Sequence, residues 1–370
     1  MKRTILFGVF LLALLYSSCE DPFIMPDSEY AYESYDGELV WEQQLSTADW
    51  SPRYDQAAVV FDDALWVFGG YDPTMRGDRD SYMEDIWKSE DGITWALVSD
   101  NAPWKGRRGH SVSVFDGYIY LSGGFAVDGL TGERGYKNDL WRSLDGIVWD
   151  EVSTDAPWEM RMNHGMLASD DALYLFGGFT HGRTYFSDMW KFDGTNWTQL
   201  ATDIPGARAS FASCIGDDGR FYLQGGSFYG SSESRYGRVD ESVENWSYLW
   251  AFDPADEAAG WTLCANPTGG SVTRAEHILI PYDGKIWMLA GRSNSGYRFS
   301  HSTKTYATEV YDPETDSWST ESLGSGFGPR YSYSALSFDY EDSGEETIMI
   351  LGGFNDSGAR HDIWYVKGGM

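Results

Sequence analysis

Apolar and polar residues alternate along this 370-residue chain in short runs that come in fours. The run "HSVSVF" (His110–Phe115) is followed by "YIYLSGG" (Tyr118–Gly124), then "DLWRS" (Asp139–Ser143) and "IVWDEV" (Ile147–Val152). Alternation over about 4–8 positions is the mark of a strand with one buried face. The turns "FDG" and "LDG" between runs carry Asp-Gly pairs, which accept the positive φ angles of tight hairpins. The pattern predicts four antiparallel strands.

The unit recurs along the chain. A glycine pair closes the second run at Gly69-Gly70, Gly123-Gly124, Gly177-Gly178, Gly225-Gly226 and Gly352-Gly353, with a degenerate copy at Ala290-Gly291. A leading arginine stands ahead of each first run: Arg53, Arg107, Arg161, Arg208, Arg274 and Arg330. The third run opens on an acidic or polar residue and an aromatic: "DIW" at Asp85, "DLW" at Asp139, "DMW" at Asp188, "YLW" at Tyr248, "EVY" at Glu309 and "DIW" at Asp362. Trp95, Trp149, Trp197, Trp261 and Trp318 mark the fourth run. Four short strands repeated at this period build one blade of a β-propeller. The last copy ends at "DIWYVKGGM" without a fourth run, while "LVWEQQL" (Leu39–Leu45) has the fourth-run pattern without the first three. The N-terminal strand is therefore expected to complete the last blade, which removes open sheet edges. The predicted fold class is all-β, a six-bladed β-propeller of four-stranded blades in one domain over residues 38–370.

The Arg…Gly-Gly…Asp-x-Trp…Trp pattern resembles the kelch repeat over nearly all of the chain after residue 38. The resemblance implies a propeller of the galactose oxidase and kelch superfamily. Such propellers serve in enzymes and in binding scaffolds alike, so function has to be read from sites.

Residues 1–18 read as a lipoprotein signal peptide, with Lys2 and Arg3 ahead of the short apolar run Ile5–Leu15. "YSSC" resembles a bacterial lipobox, with Cys19 as the lipidated first residue, and Glu20 and Asp21 resemble the surface-export tags of lipoproteins from the Bacteroides group. An ordinary secretory signal with an incidental cysteine is the alternative. Residues 19–37 read as an acidic tether. The expected location is the bacterial outer membrane, held by the lipid anchor alone, with surface exposure as one outcome. Cys214 and Cys264 are predicted on the innermost and outermost strands of the fourth blade. Three strand spacings of ~4.8 Å keep them beyond disulfide reach. The balance of 27 basic against 57 acidic residues gives a net charge of −30. That argues against nucleic acid as a partner and against electrostatic binding to anionic lipid.

Within this acidic chain, 16 of the 18 arginines beyond the signal segment gather in two regions that propeller geometry places on one face. One is the start of the first strand, with the leading arginines and Arg108. The other is the loop between second and third strands, with Arg76, Arg79, Arg134, Arg183, Arg235, Arg238, Arg292, Arg298 and Arg360. Arginine offers a planar fork suited to carboxylate and phosphate. The same loops are rich in aromatics, and Trp50, Trp104 and Trp158 precede the first three leading arginines. The expected partner is an anionic glycan or an acidic peptide, gripped by the leading arginines, with Trp104 and Trp158 among the candidate ligand-binding residues. Alternatively, each leading arginine belongs to the repeat and pairs with an acid of a neighbouring blade. The loop acids Asp78, Asp80, Glu133, Glu233, Asp240 and Glu244 would then offset much of the loop charge.

His110, His164 and His277 share one repeat position, three after the leading arginine; Gln56, Phe211 and Tyr333 fill it elsewhere. They read either as acid/base or ligand-binding groups at a mouth or as hydrogen-bonding members of the repeat. No catalytic residue, metal or cofactor is assigned. A copper site of the galactose oxidase type needs a cysteine-crosslinked tyrosine and histidine ligands, and no such cluster is visible. "SEDGITW" and "SLDGIVW" read as hairpin turns rather than sialidase Asp-boxes. In length, export and blade number the chain is similar to the bacterial sialic acid mutarotase, N-acetylneuraminate epimerase. That similarity implies arginines on a sialic carboxylate and ring opening helped by a histidine or an acid such as Glu276. Three functions stay open: a binder of anionic ligands, a carbohydrate-active enzyme of the mutarotase type, and a protein scaffold in a surface assembly.

Overall fold

The alternating runs form strands. In the second repeat they are Ser111–Phe115, Tyr118–Ser122, Leu140–Ser143 and Asp150–Ser153, each hydrogen-bonded antiparallel to the next. The structure is a computed structural model. It describes residues 40–75, 81–128, 131–227, 247–265, 274–293, 303–304, 308–321, 328–338 and 346–367. Among the described residues there are six four-stranded antiparallel sheets of this kind. The hairpin turns form as expected. Asp145 Oδ1 accepts the amides of Ile147 and Val148 at 2.9 and 2.8 Å, and Asp91 does the same for Ile93 and Thr94 at 2.8 and 2.6 Å.

The chain divides into residues 1–33 and 34–370. Cys19, the signal segment and the tether lie outside the described residues. So do Arg76, Arg79, Arg235, Arg238 and Arg298, with the acids Asp78, Asp80, Glu233, Asp240 and Glu244. The strand Val40–Leu45 pairs antiparallel with Gly358–Lys367, Trp41 opposite Val366, and so occupies the outer position of the last repeat's sheet. Cys214 and Cys264 are free and buried.

The second strand of each sheet departs from simple alternation. Leu173–Phe176 is buried at every position, and Ala64–Gly70 likewise. The reason is that both faces of this strand are covered by neighbouring sheets, which favours a continuous apolar run. Core clusters accordingly span consecutive repeats. Trp66 and Phe68 of the first pack with Ile119 and Trp149 of the second, and Leu65 and Val67 pack with Met349 and Leu351 of the last. This all-β stack of repeated sheets fits a β-propeller.

Candidate ligand-binding mouth

The repeat motif explains itself as one hydrogen-bonded cluster. Arg107 Nη1 and Nη2 donate to Asp139 Oδ1 and Oδ2 at 2.9 and 2.8 Å, and Nη1 also donates to the Gly123 carbonyl at 2.8 Å. The Trp141 indole Nε1 donates to the same Asp139 carboxylate at 2.9 Å. Arginine, first glycine, aspartate and the tryptophan two residues on are thereby joined. The cluster recurs at Arg53–Asp85–Trp87, Arg161–Asp188–Trp190 and Arg330–Asp362–Trp364. Arg274 pairs with Glu309 at 2.9 Å. Arg208, whose repeat carries Tyr248 in place of the acid, donates to the Gly225 carbonyl at 3.0 Å, and burial pulls its guanidinium down to about 9.

This geometry corrects the expectation for the leading arginines. Arg53, Arg107, Arg161, Arg208, Arg274 and Arg330 are at most 1% exposed. Buried against carbonyls and, in five of the six repeats, an acid, they do not grip a ligand. The acid comes from the arginine's own repeat rather than from a neighbouring one. Trp104 and Trp158 are also fully buried, each lying over the leading arginine of its repeat at 5.7 and 5.8 Å. They cover guanidinium groups and offer no stacking platform.

The three histidines turn out to face the preceding sheet. A Cβ on Gly69, Gly123 or Gly225 would strike the ring Cε1 of His110, His164 or His277. Gln56 and Tyr333, at the same repeat position, donate to the carbonyls of Leu351 and Leu289 at 2.8 and 2.6 Å, and Phe211 stacks on Phe176. His164 Nε2 meets Ser122 Oγ at 3.0 Å. Burial and the nearby leading arginine push His110 down to about 3, and burial drives His164 and His277 well below the imidazole range. They are neutral packing groups between sheets, not acid/base groups near pH 7.

What the leading segments do assemble lies one and two residues beyond each arginine. The second residue is Asp55, Gly109, Asn163, Ser210, Glu276 or Ser332, and all six have φ between 53° and 62°. Each amide donates to the carbonyl of the one before. Gly109 bonds to Asp55, Asn163 to Gly109, Ser210 to Asn163, Glu276 to Ser210, Ser332 to Glu276 and Asp55 to Ser332, at 2.8–3.1 Å. The hydrogen bonds thus return to their starting point.

Over this circle opens a cavity of about 410 Å³. Its wall is built mainly from three repeat positions, the two residues after the leading arginine and the residue after the glycine pair, with Tyr82 and Tyr136 added from the segments before the third run. The first and third are bridged across a short antiparallel pairing, as in Tyr54 with Tyr71, Arg108 with Phe125, Met162 with Phe179 and Tyr331 with Phe354. One arc of the wall is charged. Arg108 stands 3.8 Å from Asp55, and Arg292 contacts Glu276. Beside Arg108 the wall continues through Phe125, Tyr136, Met162, Asn163 and Phe179. Arg108 lies over the rings of Tyr71, Tyr82 and Tyr54 at 4.9, 5.8 and 5.9 Å, and its Nε has no hydrogen-bond partner. Desolvation raises both Asp55 and Glu276 above the usual carboxylate range, against the pull of Arg108 on the first and Arg292 on the second.

The sequence matches the profile of the KLHDC2/KLHL20/DRC7 Kelch-repeats domain over residues 29–226, more than half of the chain. The chain belongs to the kelch-repeat family. Tip elongation aberrant protein 1 of Schizosaccharomyces pombe is similar to it, 30% identical over 157 residues, covering 38% of this chain and 12% of that protein. Kelch domain-containing protein 3 of Homo sapiens is 26% identical over 151 residues, 38% of each chain. The Drosophila melanogaster leucine-zipper-like transcriptional regulator 1 homolog is 26% identical over 164 residues, 40% of this chain and 15% of that protein. The chain thus spans well under half the length of these relatives.

In kelch terms, the mouth occupies the positions where the repeats disagree. After the leading arginine come Tyr54, Arg108, Met162, Ala209, Ala275 and Tyr331; after the glycine pair come Tyr71, Phe125, Phe179, Ser227, Arg292 and Phe354. Sequence reading put Arg108 and Arg292 on one face and named Glu276, and all three line this cavity. The loop aromatics it noted include Tyr82 and Tyr136, but it missed Asp55 and the aromatics beside the leading arginines and glycine pairs. The available signal was variation beside a fixed arginine, since a position the fold does not dictate is free to serve a ligand.

Proposed function

We propose that this kelch protein is a six-bladed propeller, closed by its N-terminal strand, that binds an anionic carbohydrate in the mouth over the circle of Asp55, Gly109, Asn163, Ser210, Glu276 and Ser332. The observation that carries the reading is the placement of Arg108. It is a guanidinium flanked by three tyrosine rings and 29% exposed, with a loose carboxylate contact at 3.8 Å and a hydrogen bond to the Tyr54 hydroxyl at 3.3 Å. A ligand carboxylate meets Arg108 while ligand hydroxyls donate to Asp55 and Glu276. The aromatic arc of Phe125, Tyr136 and Phe179 takes the apolar face of a sugar ring. A cavity of about 410 Å³ suits one or two sugar units. In this reading residues 1–18 direct export and Cys19 carries the lipid anchor, on the strength of the "YSSC" stretch and its apolar run.

A thermal-shift panel tests it, with N-acetylneuraminate, glucuronate, neutral sugars and acidic peptides. A ligand at about 100 times its dissociation constant adds about 2.7 kcal/mol of stability, which raises the midpoint by at least a degree or so. The expected result is a shift by sugar acids that disappears in Arg108→Gln. A shift by acidic peptides alone would assign the mouth to a protein partner, and anomer exchange with a bound sugar acid would make the site an enzyme.

A second reading, a protein-interaction scaffold, rests on a separate feature. Leu144, Ile147 and Val148, in the third-to-fourth-strand turn of the second repeat, are 61, 59 and 68% exposed. A substitution of these by serine that removes a partner without affecting sugar binding would favour it.

A further inference from the structure

The charged arc of the mouth holds its own competitor for an anion. Asp55 and Glu276 sit on the hydrogen-bonded circle with Ser332 between them, and each carboxylate contacts one of the two mouth arginines. Ser332 Oγ donates to Glu276 Oε2 at 3.0 Å, and its amide donates to the Glu276 carbonyl. Their side chains are both 15% exposed, less than those of Arg108 and Arg292 at 29 and 22%. The pair lies beneath the arginines, where a ligand anion would bring a third negative charge.

Resting on the proposed reading of the mouth, we infer that anion binding is coupled to proton uptake by the Asp55–Ser332–Glu276 cluster. A deprotonated pair neutralises Arg108 and Arg292. A protonated pair no longer competes with the ligand for Arg108 and Arg292, and it turns a carboxyl O–H into a donor toward it. By linkage, the anion must then bind more tightly as pH falls, and its binding must draw protons from solution.

The surroundings favour this. Asp55 faces Arg108 from the second repeat, Ser332 from the sixth and Arg292 from the fifth; Glu276 faces Arg292, Ser332 and Asp55 itself. The tyrosines around them, Tyr54 and Tyr331, are both shifted upward and stay neutral, and Asp356 acts on Tyr331. Among the described residues, histidines do not contribute to either carboxylate's shift. Both carboxylates are shifted upward, toward the pH range in which a sugar acid with a pKa of about 3.5 remains ionised. Glutamate at φ 57° is uncommon for a non-glycine residue, and Glu276 retains the carboxylate there although serine and asparagine fill the same position in other repeats.

The test is calorimetric titration of the full chain with N-acetylneuraminate and glucuronate from pH 8 to pH 5, in buffers of different ionisation heat. The expected result is an affinity several-fold higher at pH 5 than at pH 8, with a binding heat that depends on the buffer. Asp55→Asn/Glu276→Gln, whose affinity changes with the lost carboxylates, should bind with the same affinity at pH 5 and pH 8 and with a heat independent of the buffer. Binding that is flat with pH and independent of buffer would overturn this inference while leaving the mouth as the site. Absence of binding at every pH would overturn both. The buffer comparison uses the wild type alone, so it decides even where the double variant fails to fold.

Discussion

The doubled arginine Arg107-Arg108 divides two tasks between neighbours. Both lie on the short strand Gly106–Arg108, where successive side chains point to opposite sides. Arg107 turns into the sheet and meets Asp139, and Arg108 turns to the mouth and meets tyrosine rings. Removing the acid leaves a buried cation without its fork, so Asp139→Ala should cost about 3–5 kcal/mol in chemical denaturation. Arg108→Gln should change stability by less than about 1 kcal/mol, because its ion pair is loose and part-exposed. The sequence displayed both arginines but not their burial. Arginine is rarely buried unless paired. The sign that Arg107 was paired lay in the aspartate 32 positions on, followed at the second residue by a tryptophan whose indole completes the same carboxylate.

At the scale of the element, the glycine pair joins one sheet to the next. The Gly124 amide donates to the Arg161 carbonyl at 2.8 Å, and Gly123 at φ 59° leaves no room for a side chain, since a Cβ would stand 2.9 Å from that carbonyl oxygen. Gly123→Ala should therefore destabilise by at least about 2 kcal/mol. Gly135→Ala, on a strand with nothing within 4 Å of the added carbon, should be neutral in the same melt. Strands, turns and the N-terminal strand's place in the last sheet were legible, because periodicity and Asp-Gly turns report local backbone. The circle of amides at Asp55, Gly109, Asn163, Ser210, Glu276 and Ser332 was not. Its residue types share no chemistry, and five of the six are not glycine although all six stand at positive φ.

Across the whole molecule, the buried histidines of three repeats tie stability to pH. Their folded pKa values lie below the unfolded one, so the unfolded chain takes up protons that the folded chain refuses. Their contribution is complete above about pH 6.5 and is lost as pH falls, by up to about 1.4 kcal/mol per histidine per pH unit. Asp139 and Asp362, both lowered by their arginines against burial, add a further loss deeper in acid, as pH falls through their folded pKa values. Asp55 and Glu276, whose pKa values are raised, act in the opposite sense, and with three histidines against two carboxylates the unfolding free energy should drop between pH 7 and pH 4.5. His110→Gln/His164→Gln/His277→Gln, copying the solution at Gln56, should flatten that drop. The net charge of −30 argued against nucleic acid, but it said nothing of a mouth where two arginines face two carboxylates. Total charge is a property of composition, and the mouth is made by bringing the repeats' variable positions together.

The most direct test of this account is calorimetric titration of N-acetylneuraminate into wild type and Arg108→Gln at pH 6, with both proteins shown to melt at similar temperatures. The account predicts saturable binding in the wild type and its loss in the variant. Equal binding by the two proteins, or none by the wild type, would contradict a ligand site centred on Arg108.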